Sequence, residues 1–393
     1  MLVLQHANPA AVVDGRLTID RKFLTGMDTY VRSIAAPMVS VHPASKPGQP
    51  IMDPVTVPLA DLPFRVLALD VDRRGRLADP GRDALRELLI RARLLYGAGV
   101  EGSALCRELG VPVIAVLEYD LPTQLAVTLA EVDNPMRKLS RAVRTSWSQL
   151  RAVPALARAA GVHCNGYPVY LDARRVNRAA LLYLDSRVAR DEVIDADRLA
   201  RRLERRGAGP LRLLFSGRYE RIKGALDAVK AAAAALDRGL AIEMVCYGQG
   251  SLGPAMREIA ARYPSGAITI HDAIPYPELA ALAQGFDLFI CCHVQSDPSC
   301  TYLESFGAGL PIVGYDNRMW RHLCADAGAG IVVPIGSTDR VAKAIGRYAA
   351  DAALLRRHSL LARQFALDHC FEAEFAKRTD DINRHLAKAP TRY

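Results

Sequence analysis

The sequence predicts an α/β protein of two domains, each with a mostly parallel, doubly wound sheet that helices cover on both faces. A length of 393 residues is enough for two or three domains, and an apolar fraction of 50% excludes a disordered chain. Short apolar runs alternate with helical stretches, which produces right-handed βαβ units. Two such sheets in tandem predict a ligand cleft between their carboxyl ends.

The first half carries the weaker alternation. The mostly apolar run FRVLALDVD predicts a strand over 64–72. An amphipathic stretch that ends in glycine predicts a helix over 83–99. A second apolar run, 111–120, stops at Glu118 and predicts a strand. A long helical region follows over 135–160, and then the segment GVHCNGYPVY.

The second half alternates more regularly. Near 190–210 the chain becomes charged and ends in Gly and Pro, which suits a helix that runs into a linker. We therefore predict domains over 1–205 and 206–365, and a C-terminal helix, 366–393, that returns to the first domain. Six strands are predicted after the linker, over 211–218, 241–250, 268–274, 287–294, 311–317 and 330–336. The intervening helices are predicted over 223–238, 253–262, 277–285 and 300–309, and the last segment, 338–389, is predicted to be helical and amphipathic.

The net charge of +9 favours anionic partners such as nucleotides, phospholipid head groups or nucleic acid. A solvated, Arg-rich surface is the alternative explanation. Exposed aromatic residues interleaved with cations would indicate nucleic acid, but aromatic residues make up only 6% of the chain and no recognised binding module occurs. We therefore predict no nucleic-acid partner.

Cysteine use and the N-terminus indicate the cytoplasm. The eight cysteines include no C-x-x-C pair, and the N-terminus has no basic region of the kind that begins a signal peptide. Cys291, Cys292 and His293 are consecutive residues of a predicted strand and point to opposite faces, so we predict no metal site there.

A phosphate site is predicted in the segment FSGRYERIKGALDAVKAA, residues 215–232. A strand ends at Gly217, and a helix begins near Lys223 after a basic loop. The N–H groups and the dipole of a helix N-terminus attract anions, and Arg218 and Lys223 add full charges. A basic loop beside a linker is the alternative.

The segment QSDPSCTYLESFGAGLPIVGYDN, residues 295–317, predicts a second part of the same site. Pro298 and Ser299 suit the beginning of a helix that would expose the N–H groups of Cys300 and Thr301. Glu304 lies about one turn further, where its carboxylate can accept hydrogen bonds from a vicinal diol such as a ribose. An ordinary helix glutamate is the alternative.

The segment YGQG, 247–250, lies between a strand and a helix, so Gly248 and Gly250 permit a tight turn and a close ligand approach. The third glycine and the later acidic residue of a dinucleotide-binding fingerprint are missing. We therefore do not expect a nicotinamide cofactor.

In these motifs the second half resembles the donor domain of GT-B glycosyltransferases, specifically retaining glycosyltransferase family 4. The resemblance covers about residues 211–345 and includes SGRYERIKG, CYGQG, TIHDAIPYPELAALAQGFDLFI and GAGIVVP. It is greatest to bacterial enzymes of exopolysaccharide or lipopolysaccharide synthesis. It implies a GT-B fold of two Rossmann-like domains that face a central cleft, the first binding the acceptor and the second the nucleotide-sugar donor.

The resemblance also implies residue roles. Arg218 and Lys223 match the pair that binds the donor diphosphate, and Glu304 matches the second glutamate of an E-x(7)-E motif, which holds the ribose. The first glutamate of that motif is replaced by Ser296, so Asp297 or the loop amides are candidate substitutes. The donor-binding candidates are Gly26, Gly217, Arg218, Lys223, Gly248, His271, Ala273, Ile274, Asp297, Ser299, Cys300, Thr301 and Glu304.

Three regions of this set rest on the family's layout. The stretch from His271 to Ile274 follows a strand where the nucleobase usually lies, and Gly26 is predicted in a strand-to-helix loop near the diphosphate. Glu118, with Arg218 and Lys223, is a catalytic candidate, because related enzymes often orient the acceptor from the corresponding strand end. Tyr119, Asp120, His163 and Asn165 are further acceptor-side candidates, with buried, hydrogen-bonded polar residues as the alternative for the last two.

The implied reaction is transfer of a hexosyl group, with retention, from a UDP- or GDP-type nucleotide sugar to a glycan or lipid-linked acceptor. No cofactor and no metal are expected. If the acceptor is lipid-linked, an anionic membrane surface is a partner and the protein is peripheral on the inner face of the membrane. The alternative is a catalytically inactive scaffold of the same fold that binds nucleotide sugars.

Overall fold

The computed structural model describes residues 1–46, 49, 51, 53–72, 77–97, 100–129, 132, 134–205 and 209–390. The chain forms two compact units. The first unit contains Met1–Asn165, Val169–Tyr183 and the chain from Phe375, and the second contains Gly166–Pro168 and Leu184–Glu374. Within the described residues, no helix is both long and apolar enough to cross a membrane.

The elements of the first part of the chain are short strands between amphipathic helices. The strands are β1 (Leu2–Gln5), β2 (Ala11–Val13), β3 (Arg16–Asp20), β4 (Met38–Pro43), β5 (Pro54–Pro58), β6 (Arg65–Leu69), β7 (Leu94–Tyr96), β8 (Val113–Leu117), β9 (Gly161–Asn165) and β10 (Ala180–Tyr183). The helices are α1 (Arg21–Ser33), α2 (Asp79–Ile90), α3 (Val100–Leu109), α4 (Leu121–Leu129), α5 (Pro135–Arg158) and α6 (Tyr167–Val176).

The main sheet of the first unit is parallel and, among the described residues, has seven strands in the order β10-β9-β8-β7-β1-β4-β6. Strand β1 lies inside this sheet, with Leu2 opposite both Met38 and Leu94. A separate antiparallel sheet, β2-β3-β5, covers a small core around Leu17 and Ile19.

The predicted helix over 83–99 is wrong in its second half. Helix α2 ends at Ile90, and Leu94–Tyr96 forms the fully buried strand β7 between β1 and β8. A run of three apolar residues fits a helical period as well as a strand, so only the pairing with β1 and β8 distinguishes the two. The predicted strands at 64–72 and 111–120 correspond to β6 and β8, and the helix at 135–160 corresponds to α5.

All six strands predicted in the second half are present. They are β11 (Leu211–Ser216), β12 (Ile242–Tyr247), β13 (Ile268–His271), β14 (Leu288–Cys291), β15 (Ile312–Tyr315) and β16 (Gly330–Val333). The helices are α7 (Ala196–Arg205), α8 (Ala225–Leu236), α9 (Gly253–Ala260), α10 (Tyr276–Ala283), α11 (Thr301–Gly307), α12 (Arg318–Ala327), α13 (Thr338–Ala350), α14 (Ala352–Asp368) and α15 (Phe371–Lys388).

The second unit is a doubly wound sheet whose strands, in the described part of the chain, follow the order β13-β12-β11-β14-β15-β16. Alanines of α8 are buried against the sheet, because small side chains let the helix approach the strands closely. The strand order reverses between β11 and β14, where Leu213 pairs with Leu288. In such sheets the loops that follow the strands on either side of this switch point form the ligand crevice.

The two units do not divide at the predicted boundary between residues 205 and 206. Residue 206 itself lies outside the described residues. Leu184–Arg205 belong to the second unit because α7 is attached there. The buried guanidinium of Arg202 donates to the carbonyl oxygens of Ala308 at 2.8 Å and Gly309 at 2.6 Å. At the other end, α15 belongs to the first unit from Phe375 onward, where Arg93 donates to the Leu386 carbonyl oxygen at 2.6 Å.

Candidate functional site

The loop after β11 brings two cations to the carboxyl end of the sheet of the second unit. Arg218 is exposed on this loop, and Lys223, which is only 9% exposed, ends a single 3-10 turn before α8. Gly224 follows with φ of 61°, and a Cβ atom there would overlap the carbonyl oxygen of Cys292. Glycine is therefore required for the loop to lie against the end of β14.

Lys223 forms a largely buried ion pair across the switch point. Its Nζ donates to Oδ2 of Asp297 at 2.7 Å, and the two side chains are 11% and 16% exposed. Burial raises the pKa of Asp297, but the charge and the hydrogen bond of Lys223 outweigh this effect and leave the pKa below its ordinary value. The carboxylate is therefore ionised at neutral pH and balances the charge of the lysine.

His293 lies beside this pair. Its ring is buried, with Nδ1 3.9 Å from Oδ1 of Asp297, and burial together with the charge of Lys223 lowers its pKa to about 3. The imidazole is therefore neutral. Among the described residues, neither Nδ1 of His293 nor Oδ1 of Asp297 has a hydrogen-bond partner. Both atoms remain available to a polar ligand group.

Glu304 lies on α11 at the same edge of the sheet. Its Oε1 accepts a hydrogen bond from Nε of Arg187 at 2.5 Å, and the Arg187 guanidinium lies 3.9 Å from the ring centroid of Tyr276. Glu304 and Tyr276 line a small cavity together with Ser216 at the end of β11. The carboxylate predicted to hold a ribose thus already has a cationic partner.

The loops after β12 and β13 contact the loop after β11. Tyr219 donates its hydroxyl to the carbonyl oxygen of His271 at 2.5 Å, and the His271 ring stacks on Tyr247 with the centroids 5.1 Å apart. A Cβ atom on Gly248 would overlap the carbonyl oxygen of Gly217, so Gly248 permits this close approach. His271 and Ala273 are exposed and Ile274 is half-buried, which leaves this stretch accessible to a ligand.

In the loop before α11, the backbone amide of Ser299 does not have the ligand-binding role predicted for the loop amides. Helix α11 begins at Thr301, and the N–H group of Ser299 donates within the loop to the carbonyl oxygen of Asp297 at 2.9 Å. Ser299 therefore does not offer a free amide to a ligand. Its hydroxyl donates to Thr301 Oγ1 at 3.0 Å, and the thiol of Cys300 donates to a carboxylate oxygen of Asp185 at 3.5 Å.

Ser296 has a structural partner. Its Oγ accepts a hydrogen bond from the backbone N–H of Arg318 at 3.0 Å, in the first turn of α12. Asn317 caps the same helix by accepting from the N–H of Trp320 at 2.8 Å. The residue at the position of the missing glutamate thus helps to begin a helix.

In the first unit, the ends of three strands meet around Glu118, and the sequence had predicted the first of these strands. Its carboxylate accepts from Nδ2 of Asn165 at 2.7 Å and from the hydroxyl of Tyr183 at 3.1 Å. These residues follow or end β8, β9 and β10, which are neighbours in the sheet. Tyr119 is exposed, whereas Asp120 is buried and accepts from the N–H of Thr123 at 3.0 Å at the beginning of α4.

His163 lies apart from this cluster. It is fully buried, its Nε2 lies 2.9 Å from Oδ2 of Asp381, and its Nδ1 lies 3.3 Å from the hydroxyl of Tyr96. The contact with Asp381 attaches α15 to the sheet. The geometry therefore favours the alternative considered from the sequence, a buried and hydrogen-bonded histidine.

Gly26 is not in a strand-to-helix loop, so that part of the prediction is wrong. It lies inside α1, where a Cβ atom would meet the ring of Phe375 at 3.5 Å. The helix begins at Arg21, directly after β3, because the amphipathic stretch continues through the glycine. That distance is an ordinary van der Waals contact, so the packing of α1 against α15 does not by itself require a glycine here.

The sequence reasoning missed Arg187 and Tyr276, and it considered His293 only as a metal ligand. Arg187 was assigned to the first domain, so nothing connected it with Glu304. Tyr276 lay in the quoted segment TIHDAIPYPELAALAQGFDLFI, one residue before the predicted helix over 277–285, and was given no role. The signal for His293 was its position two residues after the end of β14, at the edge where the other candidates lie.

Comparison with protein families gives a match over this unit. Residues 210–351 match the family model described as "Glycosyl transferases group 1". Alpha-D-kanosaminyltransferase of Streptomyces kanamyceticus is 30% identical over 192 residues, which are 48% of this chain and 48% of that enzyme. The match therefore spans about half the length of the curated relative.

Solved structures resemble the whole chain. Sucrose-phosphate synthase of Thermosynechococcus elongatus has a TM-score of 0.64 at 14% identity and covers 99% of both chains. Alr3699/HepE of Anabaena in complex with UDP has a TM-score of 0.63 at 13% identity over 98% of both chains. Its complex with UDP-glucose has a TM-score of 0.60 at 14% identity over 99% of this chain and 98% of that chain. With its two Rossmann-like parallel-sheet units, this chain has the GT-B fold.

Proposed function

We propose that the chain is a retaining glycosyltransferase that moves a hexosyl group from a nucleoside diphosphate sugar to an acceptor hydroxyl. Synthesis of a bacterial surface glycan or exopolysaccharide is the proposed role. The observation that carries the proposal is the meeting of Lys223, Asp297 and His293 at the switch point of the second unit. The matched family region, 210–351, contains all three residues.

The diphosphate is proposed to bind between Arg218 and Lys223. As the bond from the anomeric carbon to the phosphate oxygen breaks, negative charge grows on the leaving diphosphate. Fixed cations stabilise this charge more in the transition state than in the ground state, and this difference accelerates the reaction. Lys223 is suited to this role because Asp297, the α8 helix beginning and the Gly224 turn hold it in one position.

The nucleoside is proposed to occupy the neighbouring crevice. Glu304 accepts hydrogen bonds from the ribose diol, and the exposed stretch from His271 to Ile274 contacts the base. Binding of the diol requires Arg187 to share or release Oε1 of Glu304. A UDP- or GDP-type donor is proposed, and the UDP and UDP-glucose complexes of the Anabaena neighbour support the uracil base.

The transferred sugar is proposed to meet Asp297 and His293 in place of the missing glutamate. Oδ1 of Asp297 and Nδ1 of His293 are among the buried atoms of the described residues that have no hydrogen-bond partner, and sugar hydroxyls are both donors and acceptors. Ser296 is unsuited because its Oγ accepts the N–H of Arg318. This arrangement gives Asp297 two functions: it neutralises Lys223 with one oxygen and binds the sugar with the other.

Retention is proposed to occur by attack from the same face that the diphosphate leaves. The acceptor oxygen forms its bond to the anomeric carbon while the phosphate bond breaks, and the acceptor proton passes to the leaving phosphate oxygen. This route requires no protein nucleophile and no metal ion, since Arg218 and Lys223 supply the positive charge. In the first unit, Glu118 is proposed to orient the acceptor, with its carboxylate held by Asn165 and Tyr183.

The proposed acceptor is a glycan or a lipid-linked glycan, and the proposed location is the cytoplasmic face of an anionic membrane. The net charge of +9 supports attraction to such a surface. The second candidate is an inactive scaffold that binds nucleotide sugars. The structural use of Ser296, at the position of a glutamate that contacts the sugar, favours this candidate.

The test is thermal stabilisation by UDP, GDP, ADP and TDP, followed by measurement of nucleotide release from the corresponding sugar donors. A ligand at a hundred times its Kd stabilises a protein by about 2.7 kcal/mol. We expect one diphosphate to raise the melting temperature, and Lys223→Ala to abolish the rise. Lys230→Ala is the matched control, because Lys230 is exposed on α8.

The outcomes separate the candidates. Sugar transfer that depends on Lys223 supports the enzyme. Nucleotide binding without release from any donor sugar supports the scaffold. If no nucleotide raises the melting temperature, both candidates are wrong.

A further inference from the structure

Helix α5 presents a row of large apolar side chains to solvent. Met136, Leu139, Val143, Trp147 and Leu150 are 81%, 68%, 61%, 60% and 63% exposed. Their spacing of three or four residues places them on one face of the helix. We call these five residues the apolar stripe of α5.

The half-buried residues of α5 are mostly small or polar, apart from Leu156, which packs against the core cluster around Val162 near the end of the helix. Ala142, Ser146, Gln149 and Ala152 are half-buried, and Gln149 donates a side-chain hydrogen bond to Gln124 of α4. No residue of α5 is fully buried. A surface helix of a soluble domain normally turns its large apolar residues toward the core. In α5 this pattern is inverted, so the apolar stripe requires a partner outside the unit.

The charge of α5 identifies the chemistry of that partner. Between residues 135 and 158 the chain has six basic residues and no Asp or Glu. The basic residues are Arg137, Lys138, Arg141, Arg144, Arg151 and Arg158. Arg151 lies with its guanidinium carbon 6.0 Å from the ring centroid of Trp147, so cations lie directly beside the stripe. A surface that combines apolar groups with negative charge is therefore complementary both to the apolar stripe and to the basic residues of α5.

We propose that α5 lies in the headgroup layer of an anionic lipid membrane, with the apolar stripe inserted at the acyl boundary and the cations at the lipid phosphates. Tryptophan favours this interfacial depth because its ring is apolar and its N–H is polar. Arginine and lysine side chains reach from the helix to the phosphates along apolar stems. A second copy of the chain is a poorer occupant, because pairing two stripes would bring twelve like charges together.

The proposed function includes an anionic membrane as a partner, and this inference names α5 as the helix that binds it. Membrane binding by α5 does not depend on glycosyl transfer. The test therefore uses the full chain without any nucleotide. Co-sedimentation is measured with phosphatidylcholine vesicles and with vesicles that also contain phosphatidylglycerol. We expect binding to the anionic vesicles only, weakened by high salt.

Two variants separate the contributions. Arg137→Gln/Arg141→Gln/Arg144→Gln is expected to weaken binding about a hundredfold, since each cation near an anionic surface contributes about 1 kcal/mol, or roughly fivefold. Leu139→Gln/Val143→Gln/Leu150→Gln is expected to abolish insertion while leaving the charge unchanged. The matched control, Lys230→Gln/Arg340→Gln/Arg356→Gln, removes three exposed cations from the second unit and is expected to bind as the wild type does.

Tryptophan fluorescence gives an independent readout. The chain has two tryptophans, and Trp320 is fully buried whereas Trp147 is 60% exposed. Anionic vesicles should shift the emission to shorter wavelength, and Trp147→Phe should remove the shift. Equal binding by the control and both α5 variants would overturn the proposal. A dimer that the stripe variant dissociates, with no vesicle binding, would also overturn it and identify a second copy as the occupant.

Discussion

Lys223 and Asp297 neutralise each other at the switch point of the second unit, with Nζ 2.7 Å from Oδ2 and both side chains largely buried. Each comes from the loop after one of the two strands, β11 and β14, between which the strand order reverses. The same lysine is proposed to bind a diphosphate. Ligand binding and the stability of the unliganded site therefore depend on one cation.

Asp297→Asn should reduce the free energy of unfolding by about 3 kcal/mol, because it leaves the Lys223 charge largely buried without a counter-charge. The same variant should gain more stability from a nucleoside diphosphate than the wild type does, because the ligand supplies the missing negative charge. Urea denaturation with and without UDP measures both effects. Glu258→Gln is the control: Glu258 pairs with Arg262 at the surface of α9, and its loss should cost under about 1 kcal/mol.

Ser296→Ala should reduce the free energy of unfolding by about 1 kcal/mol without changing nucleotide affinity, because Oγ of Ser296 accepts from the beginning of α12. Ser337→Ala is the matched control, since Ser337 precedes α13 but forms no capping hydrogen bond. Thermal melts and UDP titrations test the pair. A large loss of UDP affinity in Ser296→Ala alone would contradict the structural role.

Arg187→Ala should tighten UDP binding up to about fivefold, because Glu304 would no longer need to exchange Arg187 for the ribose. The gain is small because Arg187 is 47% exposed and solvent screens its ion pair. Calorimetric titration with UDP measures the affinity, and Arg190→Ala, an exposed neighbouring arginine, should bind as the wild type does. Weaker binding in Arg187→Ala would instead indicate that Arg187 contacts the nucleotide.

Stability should decrease as the pH falls from about 6.5 toward 4. Burial lowers the pKa of His6 to about 3 and that of His42 to about 4, and the two rings stack with centroids 4.8 Å apart. Between pH 6.5 and 4 these histidines bind protons in the unfolded chain but not in the folded chain. The free energy of unfolding therefore decreases as the pH is lowered. Each of these two histidines should lower the free energy of unfolding by about 2 kcal/mol when the pH is lowered from 7 to 5.

His6→Phe tests this pH dependence. It retains an aromatic ring against His42 and Phe23 but removes one titrating group. Denaturation curves at pH 7 and pH 5 should differ by about 2 kcal/mol less in the variant than in the wild type. An unchanged difference would show that another group determines the acid sensitivity.

The second unit was predictable because its sequence is locally consistent. Each strand from β11 to β16 is a short, mostly apolar run, and the motifs around Lys223 and Glu304 lie where parallel strands end. The first unit was harder to predict. The three residues of β7 continue an amphipathic pattern, and Gly26 resembles a loop glycine although α1 passes through it.

The local sequence pattern thus determined the fold class and the strands of the second unit. It also determined the position of the cations, because the carboxyl ends of parallel strands lie at the same edge of the sheet. Tertiary structure decided which side chains pair. The contacts of Lys223 with Asp297 and of Arg187 with Glu304 join residues far apart in the chain, so no local spacing encodes them. The exposure of the α5 stripe was decided in the same way, because an amphipathic pattern does not specify whether its apolar face meets a core or solvent.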